Sequence, residues 1–112
     1  MKPVFNSLVL FFFFFSIYSL ADVVKYDSAW GQNCHPSEES YAVKMKNVGD
    51  KPVDFKVCLE KKGGGWSCFV SNYVQPGAIE PKSWGYMTCR ATGEVKWWWR
   101  NAGDFSDPFP NP

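Results

Sequence analysis

The sequence holds a single histidine, no closely spaced cysteine pair, almost no helix signal and no excess of charge once its first residues are set aside. Each shortage removes a class of function. Acyl transfer needs a nucleophile with a nearby base, and His35 is the only imidazole available, beside a cysteine expected to be oxidised. It is read as a structural or surface residue, and no catalytic residue is assigned. Zinc sites favour Cys-x2-4-Cys pairs joined by further cysteines or histidines. Cys34, Cys58, Cys68 and Cys89 are too widely spaced for that, so no metal and no cofactor is expected.

Charge excludes another partner. The chain carries 12 Lys plus Arg against 11 Asp plus Glu, and removing Lys2 with the leader leaves the remainder neutral. Non-specific nucleic-acid affinity comes from neutralising phosphates with a basic surface, so nucleic acid is not expected as a partner. Paired carboxylates could in principle hydrolyse glycosides. However, Glu38, Glu39, Asp104 and Asp107 fall in loop-like or tail segments, and they read as solvated charges. No Asn-x-Ser/Thr acceptor follows residue 21.

What is present begins with an export signal. Met1-Lys2-Pro3 precedes an apolar run centred on Leu8 to Phe15, and Ser19-Leu20-Ala21 supplies small residues around a cleavage point. A spanning helix needs ~20 mostly apolar residues, and Ser16, Tyr18 and Ser19 break this run early. Residues 1–21 are therefore expected to be removed, leaving no stable membrane span and no cysteine at the cut for a lipid anchor. The destination is secreted or periplasmic. Residues 22–100 form one domain, and 101–112 a proline-rich tail, extended or loose because of Pro108, Pro110 and Pro112.

An even cysteine count in a small exported domain reads as two disulfides. Each contributes ~2–4 kcal/mol, which matters where the core is small. Period-two alternation then places the strands. Val23-Val24-Lys25-Tyr26 is an edge candidate. Tyr41, Val43 and Met45 share one face, and Val53, Phe55, Val57 and Leu59 share another. Lys61 to Gly65 is a loop, Trp66 to Ser71 its return strand, and Ser83–Ala91 with Glu94–Arg100 a last hairpin about Thr92-Gly93. Six or seven short strands of this kind indicate an all-β fold, a small β-sandwich or barrel, with two disulfides.

Register arithmetic adds detail. A hairpin centred on Gly63 sets Cys58 opposite Cys68, close enough to be bridged, which leaves Cys34 for Cys89. If the strands flanking Gly49 were paired with their apolar faces aligned, Lys44 would oppose Lys56, a destabilising contact. Placing those strands in opposite sheets avoids it.

Val43-Lys44-Met45-Lys46-Asn47-Val48-Gly49, Gln75-Pro76-Gly77 and Thr92-Gly93-Glu94-Val95-Lys96 make residues 41–100 similar to an immunoglobulin-like bacterial domain of the CARDB type. That resemblance implies a two-sheet sandwich with an interaction role and no defined ligand. The four cysteines and Trp97-Trp98-Trp99 depart from its pattern.

The six tryptophans are the informative chemistry. Most should fill the core, where aromatics carry large burial energy. On the last hairpin, Val95, Trp97 and Trp99 share a face with Trp84, Tyr86 and Thr88. Trp98 then points outward between Lys96 and Arg100, as Trp66 does beside Lys56 and Glu60. An outer surface of Trp98, Trp66, Lys96 and Arg100 is accordingly the candidate site, for a protein or polysaccharide partner. The competing reading is that Lys and Arg stems simply cover the indoles. The leading function is a non-catalytic interaction module. Alternatives are an inhibitor or toxin-like effector acting through the 61–65 loop, whose three glycines argue against it, and a structural envelope protein. Lys44, Lys46 and Lys56 offer a minor option, a basic patch for acidic polysaccharide or anionic lipid.

Overall fold

A computed structural model describes residues 21–34 and 38–112. Residues 1–20 of the expected signal, and His35, lie outside them. Among the described residues there are seven strands and no helix, and so no helix long and apolar enough to cross a membrane. The strands are β1 (Val23–Gly31), β2 (Ser40–Asn47), β3 (Val53–Lys61), β4 (Trp66–Val74), β5 (Ile79–Glu80), β6 (Tyr86–Cys89) and β7 (Ala91–Asn101).

They form two antiparallel sheets. In the first, β2 pairs with β1 along one edge and with β6 and β5 in succession along the other. In the second, β3 lies between β4 and β7. β2 and β3 stand in opposite sheets, the arrangement favoured by keeping Lys44 and Lys56 apart. That separation also dissolves the basic patch, because Lys44 and Lys46 lie in one sheet and Lys56 in the other.

Alternation decides what fills the space between the sheets. Tyr41, Val43 and Met45 of β2 meet Val53, Phe55, Val57 and Leu59 of β3, all buried, with Val23, Val74 and Ala91 completing the core. Phe69, Tyr86, Val95, Trp97 and Trp99 pack around its margin. Tyr86 stacks on Phe69 with ring centroids 5.1 Å apart and meets Phe55 edge-on. Burial pushes its hydroxyl above the ordinary tyrosine value; the Glu80 charge adds to that, and a hydrogen bond with Ser71 opposes it. Each open side of the sandwich carries a cross-sheet bond. Trp97 Nε1 donates to the Val23 carbonyl at 3.0 Å, and the Ser67 and Thr88 hydroxyls lie 2.8 Å apart.

Both expected disulfides are present: Cys58–Cys68 links directly opposed residues of β3 and β4, and Cys34–Cys89 ties the segment after β1 to the end of β6. The expected last hairpin is not. β6 pairs with β2 and β7 with β3, so the chain changes sheet between them, at Arg90. Arg90 adopts a left-handed backbone (φ 53°), donating its N–H to Glu39 and accepting from Lys62. Gly93, expected to sit in a turn, lies inside β7 at φ 93°. There Thr92, Gly93 and Glu94 face the single residue Glu60 in the β3 register, a bulge. A Cβ on Gly93 would stand 3.0 Å from the Trp30 indole. The positive φ of Gly93 thus serves a bulge instead of the expected reversal.

Asn47 fixes the arch that carries the chain from one sheet to the other. It is fully buried, and its Nδ2 donates to the carbonyls of Lys51 (2.8 Å) and Val74 (2.9 Å) while Oδ1 accepts from the Gly49 N–H. Its backbone pairs with Ala78 and Gly77. One residue thus joins the end of β2, the arch, the end of β4 and the turn that follows it. Asn47→Asp would set a carboxylate against two carbonyls and leave both without a donor. Unsatisfied buried groups cost ~1–3 kcal/mol each, so a loss of about 3 kcal/mol is expected in chemical denaturation, although the side chain keeps its shape. A loss below about 1 kcal/mol would mean that the arch is held by other contacts.

Candidate functional site

Residues at alternate positions of β4, β3 and β7 build the outer face of the second sheet, and the register sets them in rungs. Trp66 lies opposite Glu60, Cys68 opposite Cys58 and then Lys96, Val70 opposite Lys56 and then Trp98, and Asp54 opposite Arg100. The four sequence-predicted surface residues Trp66, Lys96, Trp98 and Arg100 are thereby placed on one face. Their surroundings differ from a bare aromatic surface. Lys96 Nζ lies 5.0 Å over the Trp66 ring and Lys56 Nζ 5.8 Å over that of Trp98, so both indoles are only half-exposed under ammonium groups.

Arg100 is committed more deeply. Its Nε donates to Asp54 Oδ2 at 3.1 Å, in the one ion pair among the described residues. The Asp54 carboxylate is buried and also accepts from the backbone N–H of Tyr73 (3.0 Å) and of Gly103 (3.1 Å). Burial pushes its pKa up, but those two N–H groups and the Arg100 guanidinium outweigh it, and the carboxyl titrates below its ordinary value. On the far side of Arg100 the C-terminal tail folds back across the face. The tail, expected from its prolines to be extended or loose, is held against this face.

The opposite outer face, on the first sheet, holds the most exposed tryptophan of the described residues. Trp84 was expected among the core-facing residues of a β6–β7 hairpin; with that hairpin absent it points outward, 76% exposed. Gly85 explains its position. A Cβ there would come within 2.7 Å of the Ala42 Cβ and 2.8 Å of the Val43 nitrogen, so only glycine lets the chain lie this close to β2. Beside it is a pocket of about 330 Å³ lined by Asn33, Ala42, Trp84, Gly85 and Met87. A smaller recess of about 70 Å³, lined by Asp27, Ser28, Ala29, Lys44 and the same Ala42 and Gly85, continues it. The floor is made of small residues and the rim is mixed: an indole, a thioether, an amide and charged groups. Sequence reasoning missed this site. The available signals were Trp84-Gly85 after a proline-broken stretch and the small Ala42 between Tyr41 and Val43. A third hollow, of about 420 Å³, opens at the β1/β7 side and is lined in part by Val23, Val95, Trp97 and Trp99.

Among the described residues no three His, Cys, Asp or Glu side chains gather in a group that could hold a metal ion. Comparison with family models, curated proteins and solved structures yields no match to this chain.

The Asp54 environment generates a pH dependence. Because the folded carboxyl titrates below its unfolded value, the unfolded chain takes up the proton first as pH falls. The stabilisation is complete above the unfolded value of about 4 and is lost as pH drops through the folded one. Denaturation midpoints should therefore be flat in this contribution from pH 7 to about 5 and fall below about pH 4. Asp54→Asn should lower stability at pH 7, by about 3 kcal/mol, since Arg100 then lacks its buried counter-charge, and should remove much of the acid-limb slope. An unchanged acid limb in the variant would assign that slope to other carboxylates.

Proposed function

We propose that this chain is an exported, non-catalytic binding module, and that its ligand surface is the Trp84 pocket on the first sheet, which takes a saccharide. The observation that carries this reading is the 76% exposed Trp84 indole at the lip of a 330 Å³ pocket floored by Ala42 and Gly85. Ligand pockets of ~300–1,000 Å³ are mostly apolar with a few polar groups that fix orientation. A flat indole matches the C–H face of a sugar ring, and the Asn33 amide with Asp27, Ser28 and Lys44 nearby offers partners for hydroxyls. The core does not need this tryptophan, and a large exposed apolar surface of this kind marks an interaction site. Two disulfides fit an oxidising compartment, which agrees with a secreted or periplasmic destination. The resemblance of residues 41–100 to CARDB-type domains of cell-surface and adhesion proteins points the same way.

A second reading, the inhibitor or effector acting through residues 61–65, draws on the base of that loop. Lys61 donates to Gly65, Gly64 to Lys61, and Lys62 to Arg90, which anchors a tip that three glycines would otherwise leave loose.

The test is a tryptophan-fluorescence titration of the oxidised chain with envelope and host polysaccharides, beside Trp84→Ala and Trp98→Ala. A saturable change is expected that weakens at least about tenfold in Trp84→Ala and survives in Trp98→Ala. Loss in Trp98→Ala alone would move the site to the second sheet. Silence towards every glycan would end the saccharide reading.

A further inference from the structure

The residues that follow β7 come back over the sheet they have just left. Ala102 donates to the Pro52 carbonyl and Gly103 to Asp54, and a tight turn through Asp104 and Phe105 follows. Beyond it, two cations hold the chain. Arg100 Nη1 donates to the Asp107 carbonyl at 3.0 Å, and Lys56 Nζ to the Pro110 carbonyl at 3.0 Å. The Arg100 guanidinium also lies 4.4 Å from the centre of the Phe109 ring and 5.0 Å from that of Phe105. Among the described residues, no backbone–backbone hydrogen bond ties residues 108–112 to the domain.

The two accepting carbonyls are three residues apart, in Asp107-Pro108-Phe109-Pro110. Three residues make one turn of a polyproline II helix, whose carbonyls are free for outside donors and whose ordering entropy is already low. Aromatic and donor groups on a rigid surface are the usual receptor for such a segment. Here the surface is rigid because Asp54 is buried beneath it. Its carboxylate takes the Arg100 Nε and leaves the Nη groups and the planar faces of the guanidinium for a ligand. Lys56 and Trp98 form the adjoining rung.

We infer that the Arg100–Lys56–Trp98 corner of the second sheet is a recognition site for an extended, proline-rich peptide bearing phenylalanine, and that the chain's own C-terminus occupies it in cis. The groups that hold the tail are two carbonyls and two rings, all of which a separate peptide supplies equally well. Phe105 remains 75% exposed, so the cis contact is shallow and exchangeable. Covalent attachment nonetheless presents the tail at a local concentration in the millimolar range, which masks the corner against weak competitors. A partner's Phe/Pro segment must displace it. This site lies on the sheet opposite the Trp84 pocket and does not depend on it.

The test uses the full chain carrying Phe105→Ala and Phe109→Ala together, and a synthetic peptide of residues 104–112 as the probe, followed by NMR. The Trp98 indole and Arg100 side-chain signals should shift saturably. The apparent affinity should exceed that of the unaltered chain by about fivefold or more, because the native tail no longer competes. The same peptide with both phenylalanines replaced by alanine should bind at least about tenfold more weakly. Equal responses to the two peptides, or no saturable shift at several-millimolar peptide, overturn the proposal. Should the double variant fail to fold, the unaltered chain decides. Excess peptide must move its own Phe109 signals towards those of a free tail, and fixed Phe109 signals overturn the proposal. Trp84→Ala should leave all of these responses unchanged, which separates this site from the saccharide pocket.

Discussion

The Asp54 carboxylate is where the second sheet, its edge strands and its tail are joined. It sits on the central strand β3 and gathers an N–H from Tyr73 at the end of β4, the Arg100 guanidinium from β7 and the Gly103 N–H from the segment beyond. A buried charge is tolerated only when it is paired and hydrogen-bonded on most of its lone pairs, and these three donors meet that requirement. Their geometry has consequences on both sides. Inward, it lets Val53 and Phe55 flank a polar residue without interrupting the core. Outward, it orients the guanidinium on which the tail rests.

Asn47 has the corresponding part in the first sheet. Both are short, buried polar side chains near the end of a strand, Asn47 satisfied by backbone groups alone and Asp54 by two backbone N–H groups and Arg100. No buried side-chain nitrogen or oxygen among the described residues lacks a partner. The apolar core supplies the cohesion and these two residues the uniqueness of the chain path, since a shifted register would strand their hydrogen-bonding groups in an apolar interior. The two disulfides brace the same architecture at different ranges. Cys58–Cys68 reinforces an existing hairpin, whereas Cys34–Cys89 joins residues 55 apart in sequence.

The outer faces divide the surface chemistry. On the second sheet, lysines lie over Trp66 and Trp98, and the tail occupies the Arg100 corner. On the first, small residues leave a trough beside an uncovered indole. The most exposed tryptophan among the described residues, Trp84, thus lies where Gly85 and Ala42 let the backbones approach closely.

Much of this arrangement is set by the sequence alone. Strict alternation from Tyr41 to Asn47 and from Val53 to Leu59 fixes two strands and their buried faces, because a one-residue slip would turn every apolar side chain outward. A loop centred on Gly63 sets the Cys58–Cys68 rung, and like charges at Lys44 and Lys56 disfavour direct pairing of their strands. The outward direction of Trp66 and Trp98 follows from the same periodicity. Tertiary structure alone decided three other features. Whether Gly93 reverses the chain or bulges a strand depends on which strand Val95 to Arg100 can pair with, and they pair with β3. That choice moved the sheet change to Arg90 and released Trp84 from the interior to the surface. The tail's position depends on donors from Lys56 and Arg100, which are brought together across β3 and β7 and lie 44 residues apart in the chain. Local patterns carry a residue's facing and its φ preference. Which distant partner receives it is settled only when the two sheets close on each other.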